Sequence, residues 1–132
     1  MITNMFFSAD FVENRDSNNN PIPTSIGPTS EFAIEQFPTN YSFSLQVMIA
    51  KINIFQANVV TINFSKENDD NLLVSEVLNL PQSTEDEEAS INFNLNFRNV
   101  RLAEEGIYVA SLFVNGNLEK NCQVNMARVK VI

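Results

Sequence analysis

The sequence predicts an all-β protein, a single antiparallel β-sandwich domain of about seven to nine strands covering residues 1–132. Three observations carry the prediction. Apolar residues recur every second position, not every 3.6, along the best-patterned stretches. Proline, glycine and asparagine clusters punctuate the chain at short intervals. No segment shows convincing helical amphipathicity. A chain of 132 residues can bury one sizeable core without a metal or disulfide, and is too short for two ordinary domains.

The elements follow in order. Met5 to Glu13 reads as a first strand whose inward face is ambiguous, because Phe6 and Phe7 are adjacent. Glu31 to Phe37 reads as a short strand stopped by Pro38, which cannot donate to a ladder. Between them, residues 14–30 form a long connection holding Pro21, Pro23 and Pro28. Tyr41 to Ala50 places Tyr41, Phe43, Leu45, Val47 and Ile49 on one face and Ser42, Ser44, Gln46 and Met48 on the other. Lys51 to Ala57 either continues that strand through a bulge or makes a connecting turn. Asn58 to Ser65 is β-branched and ends in the polar cluster Lys66 to Asn71, and Leu72 to Leu80 returns to Pro81. Ser90 to Arg98 alternates most cleanly: Ile91, Phe93, Leu95 and Phe97 point inward, and Asn92, Asn94, Asn96 and Arg98 outward. Ile107 to Val114 meets Asn115-Gly116, a hairpin signal, since both central residues of a type I′ turn need positive φ. Leu118 to Val131 is the last strand.

Leu102-Ala-Glu-Glu-Gly106-Ile-Tyr108 resembles the tyrosine corner of immunoglobulin-like sandwiches. There a hydroxyl bonds back to the upstream backbone where the chain crosses between sheets. The plainer alternative makes Tyr108 one more core aromatic at a strand start. Leu102, Gly106 and Tyr108 are therefore structural candidates. Ala110 stands where an antibody domain has its second cysteine, and tryptophan is absent, so any likeness is architectural and licenses no activity.

A second resemblance spans more of the chain. Ala9-Asp10-Phe11-Val12, Ile26-Gly27-Pro28, Phe37-Pro38, Gly106-Ile-Tyr108 and Val114-Asn-Gly-Asn-Leu118 occur in order around a long alternating strand. In this the chain resembles a family of short, uncharacterised bacterial and prophage proteins with a single β-sandwich domain. The resemblance implies the fold and leaves the activity open.

Composition excludes much chemistry. Histidine is absent, which removes His-based nucleophilic catalysis, His-ligated zinc and the imidazole pH switch. One cysteine, Cys122, allows neither an intrachain disulfide nor a cysteine-cluster metal site. Sixteen acidic against eight basic residues give a net charge of -8. The basic residues are scattered, so neither direct nucleic-acid binding nor attachment to anionic membrane is expected. The N-terminal segment lacks a signal-peptide pattern, and no apolar run approaches a membrane span, so the expectation is a soluble, cytoplasmic protein.

Candidate sites are few. Glu85-Asp86-Glu87-Glu88 is the densest charge run, but calcium loops space their carboxylates and bend around a glycine. It reads as a solvated loop, and no metal or other cofactor is expected. Glu104 and Glu105 are paired acids in the corner loop that could be asked to do acid-base work, yet no tryptophan and only two tyrosines argue against a sugar-binding cleft around them. No catalytic residue is assigned, and the chain is not expected to be an enzyme. Asparagine supplies 20 of the 132 residues; the exposed row Asn92, Asn94, Asn96 reads as a binding platform or simply the wet face of a sheet.

The 14–30 connection is long for a compact domain, and such loops are functional or disordered. Pro21, Ile22, Pro23, Ile26 and Pro28 compose either a partner-binding loop or a tether whose isoleucines tuck onto the sandwich. The expected function is a non-catalytic protein-interaction module. An unidentified protein partner would be held through that loop or through an edge strand, with homo-oligomerisation through edge strands included. The alternatives are an acidic inhibitor or DNA mimic of a nucleic-acid enzyme, which needs a spaced stripe of acids, and a small virion assembly subunit.

Overall fold

The structure, a computed structural model, describes residues 1–9, 14–15, 18, 21–22, 28–83 and 89–129, with 14, 15, 21 and 22 described through their backbone pairing. Among these residues every regular element is a strand: β1 (Ile2–Ala9), β2 (Asn14–Arg15), β3 (Pro21–Ile22), β4 (Glu31–Ile34), β5 (Thr39–Ile52), β6 (Asn58–Lys66), β7 (Val74–Leu80), β8 (Ala89–Leu102), β9 (Gly106–Val114) and β10 (Asn117–Arg128). They form a three-stranded sheet ordered β1-β5-β8, a five-stranded sheet ordered β4-β10-β9-β6-β7, and the two-stranded pair β2-β3.

The two larger sheets face each other across one core. From the three-stranded sheet come Phe7, Phe43, Leu45, Val47, Ile49 and Phe97; from the five-stranded sheet come Val60, Ile62, Phe64, Tyr108, Leu112 and Met126, all buried. Phe43 is the hub: its ring centroid lies 5.1 Å from both Phe64 and Phe97. Such tilted and edge contacts add to the area the rings bury.

Alternation alone would not seat every core residue, and bulges correct the phase. Ile49 and Ile52 are both buried although three positions apart, and the register of β5 against β8 shifts between them. Lys51, at φ 58°, absorbs the extra residue. The bulge of the expected strand thus exists, followed by a turn at Ile54 and Phe55. On β8 the same happens between Phe97 and Val100: Asn99 takes φ 52°, and its N–H donates to the Ser42 hydroxyl at 2.9 Å. The Asn115-Gly116 hairpin forms with φ 53° and 83°, the positive pair expected.

Two expectations change. The domain is not antiparallel throughout, because β4 runs parallel to β10, with Phe32 opposite Met126 and Ile34 opposite Arg128. A parallel neighbour needs a long connection, and here β4 and β10 are separated by most of the chain. The 14–30 connection is also not devoid of pairing: Asn14 pairs with Ile22 and Arg15 with Pro21. It ends where the Thr29 N–H donates to the Phe7 carbonyl at 2.8 Å, clipping the segment onto β1 before β4 begins.

Candidate functional site

Each sheet edge carries unpaired main-chain donors and acceptors, which native proteins normally guard against pairing with another chain. Among the described residues the two larger sheets have four edges: β1, β8, β4 and β7. The β1 edge is bridged by Thr29 at Phe7, and the Cys122 thiol donates to the Met5 carbonyl at 3.6 Å. Burial pushes the Cys122 thiol up from its ordinary value, so it stays protonated and unreactive near neutral pH. The β4 edge is four residues long. On β7, Glu76 lies opposite Ile62, on the side of the strand that faces the other sheet, and is exposed. An inward-facing carboxylate of this kind stops a further strand from burying its apolar face there.

Among the described residues β8 has no such guard from Ala89 to Phe97. It runs 14 residues and, among the described residues, pairs with β5 alone. From Ala89 to Phe97 it contains no charge, proline or glycine. Its inner row is incompletely covered. Ile91, Phe93 and Leu95 are half-buried, while their β5 partners Ile49, Val47 and Leu45 are fully buried. Asn92, Asn94 and Asn96 are exposed on the outer face, with Asn94 Nδ2 donating to Asn96 Oδ1 at 3.2 Å and Ser44 Oγ donating to the same oxygen at 2.8 Å. Beside them a shallow pocket of about 240 Å³ opens among Asn4, Phe6, Gln46, Met48 and Asn92, with no charged group in its lining.

The opposite kind of surface sits at the β6–β7 and β8–β9 turns. Lys66 and Tyr108 are register partners, so Glu67, Asp69 and Asp70 of one turn share an end of the molecule with Glu104 and Glu105 of the other. Lys66 Nζ donates to Glu104 Oε1 at 2.6 Å, and that hydrogen bond raises the Lys66 pKa above its ordinary value. No cluster of three or more potential metal ligands occurs among the described residues.

The residues singled out from sequence are distributed as follows. Pro21 and Ile22 fall in β3, Pro28 is exposed, and Pro23 and Ile26 lie outside the described residues, as do Glu85 to Glu88. Leu102 is fully buried and Tyr108 almost so; the Tyr108 hydroxyl donates to the Glu104 carbonyl at 2.6 Å. Gly106 sits at φ 145°, and a Cβ there would approach Lys66 Cε to 3.1 Å. The lack of a guard on β8 was not visible in sequence, because which strand ends up at an edge depends on pairings made far along the chain. Its signal was a long alternating stretch without charge. Among the described residues no helix is long and apolar enough to cross a membrane.

No curated protein matches the sequence. Among solved structures, a β-glucosidase from Listeria innocua is similar at a TM-score of 0.49 and 9% identity, over 98% of this chain and 16% of the enzyme. Its complex with gluconolactone gives 0.48 and 9%, over 97% and 17%. The chain thus spans a small fraction of either. Residues 4–127 match DUF6941, a family of unknown function, and the chain belongs to that family.

Proposed function

We propose that the protein is a non-catalytic protein-interaction module that receives an extended segment along the free edge of β8 by β-augmentation. The observation that carries this is the contrast among edges of the described residues: β1 is bridged at Phe7, β4 is short, β7 bears Glu76, and β8 is open along the uncharged stretch from Ala89 to Phe97. An added strand would gain main-chain hydrogen bonds and cover the half-buried Ile91, Phe93 and Leu95. The Tyr108 to Glu104 hydrogen bond supports the finer reading of an immunoglobulin-like sandwich with a tyrosine corner. The resemblance to short bacterial and prophage proteins supports the cytoplasm of a bacterium or phage-infected cell as the setting.

The Pro21–Pro28 segment is the competing contact surface, and one experiment separates the two. Wild type, Phe93→Lys and the double variant Ile22→Asp with Ile26→Asp are used as baits in cell lysate, with melting curves for each. Loss of the captured protein only with Phe93→Lys is the expected result. Loss only with the double variant, at unchanged melting, moves the site to the loop. Capture of the same partner by all three rejects the edge as the binding surface. The identity of the captured protein also tests the other classes, since an acidic mimic should bring down a nucleic-acid enzyme and an assembly subunit a virion component.

A further inference from the structure

We propose that the segment received by β8 is β8 of a second copy of this chain, joined antiparallel about a two-fold axis at Asn94. This rests on reading β8 as the binding edge. A two-fold interface must be self-complementary, and the strand has that property. In Ile91-Asn-Phe-Asn-Leu-Asn-Phe97, centring on Asn94 sets Asn94 against itself and Asn92 against Asn96 of the second copy. Phe93 then meets Leu95, and Ile91 meets Phe97. Every apolar residue faces an apolar one and every amide an amide. A primary amide both donates and accepts, so it can pair with its own copy where a charge could not.

The paired stretch itself carries no charge against the same occupant. Two molecules of net charge -8 repel over most of their surfaces, and the stretch Ala89–Phe97 contributes nothing to that repulsion. The charges that β8 does carry, Arg98 and Arg101, are positive and lie near its C-terminal end. The Asn99 bulge, at φ 52°, ends the regular stretch just past Phe97 and so limits the register. The product is a continuous sheet in the order β1-β5-β8-β8-β5-β1, in which Ile91, Phe93 and Leu95 gain the neighbours they lack.

Sedimentation equilibrium on the whole chain tests the assembly, and cysteine pairing tests the register. Wild type should dimerise in a concentration-dependent way, and Phe93→Lys should weaken the dimer at least tenfold. In a Cys122→Ser background with unchanged melting, Asn94→Cys should form a covalent dimer under mild oxidation, because directly opposed Cβ atoms lie within disulfide reach. Asn92→Cys should cross-link to Asn96→Cys and not to itself. A wild type that stays monomeric at its highest soluble concentration overturns self-pairing; if Phe93→Lys still abolishes capture of a cellular protein, the edge reading stands, and if it does not, both fall. A dimer that survives Phe93→Lys and does not cross-link through Asn94→Cys lies on another surface and also overturns the proposal.

Discussion

The Tyr108 ring stacks on Phe64 at 5.7 Å and 11°, while its hydroxyl reaches the Glu104 carbonyl, so ring and hydroxyl hold different parts of the turn. Tyr108→Phe keeps the stack and removes the hydrogen bond, and should cost on the order of 1 kcal/mol in chemical denaturation. The effect has a pH signature. Burial raises the Tyr108 phenol above its ordinary 10.0, so the unfolded chain releases that proton first. Stability is then intact below about pH 10 and falls as pH rises from there through the folded value. Lys66, raised by Glu104 from 10.5, loses its contribution in the same direction. Urea midpoints measured from neutral to strongly alkaline pH should therefore drop more in wild type than in Tyr108→Phe, which keeps only the Lys66 part. Asn58 is a second such residue. Its Nδ2 donates to the carbonyls of Asn53 and Gln56 at 2.8 and 3.1 Å, and its Oδ1 accepts from Asn115 Nδ2 at 2.9 Å. Asn58→Ala leaves those groups without their partner and should cost about 2 kcal/mol by the same measurement. In sequence Asn58 was one asparagine among 20, at the start of a strand. Its burial follows from the hairpin at Asn115 folding over it, a contact 57 residues away.

At the scale of elements, strands were legible where apolar spacing was two, as in β5 and β8. The bulges were legible in hindsight as spacings of three, Ile49 to Ile52 and Phe97 to Val100. Strand order was not legible. The pairing of β4 with β10 joins Phe32 to Met126, and nothing local to either segment announces it. The candidate site suffered most from this, because an edge is defined by the strand that is missing. Edge protection can be tested on the strand that has it. Glu76→Val on β7 removes the inward-facing carboxylate and extends the apolar side of Val74 and Leu78. It should leave the melting temperature nearly unchanged and produce new oligomers in size-exclusion chromatography. Unaltered elution would show that Glu76 guards nothing.

At the scale of the molecule, the acids of the described residues are unevenly spread. Carboxylates gather at the turns after β6 and β8, while Asn92, Asn94 and Asn96 of β8 and the pocket beside them are uncharged. The sequence showed the total and the runs; the fold decides which runs become neighbours, here through the Lys66 and Tyr108 register. The described acids do not group as metal ligands, and the sequence run Glu85 to Glu88 lacks the spacing calcium requires. Neither EDTA nor millimolar calcium should move the melting temperature, whereas a site half-filled well below that concentration would raise it through mass action. Along β8 asparagine and phenylalanine divide the labour simply, amides outward and rings inward, which is why fold class could be read without a single catalytic motif. The position of β10 has a temporal consequence. It lies inside its sheet, between β4 and β9, yet among the described strands it is the last to be synthesised. Until it arrives, β4 has no neighbour in that sheet and β9 keeps one side bare, so this part of the nascent chain carries open strands and an unfinished core. Closure of the five-stranded sheet thus waits on β10, and the interval before it is when open strands are most exposed to aggregation and to chaperones.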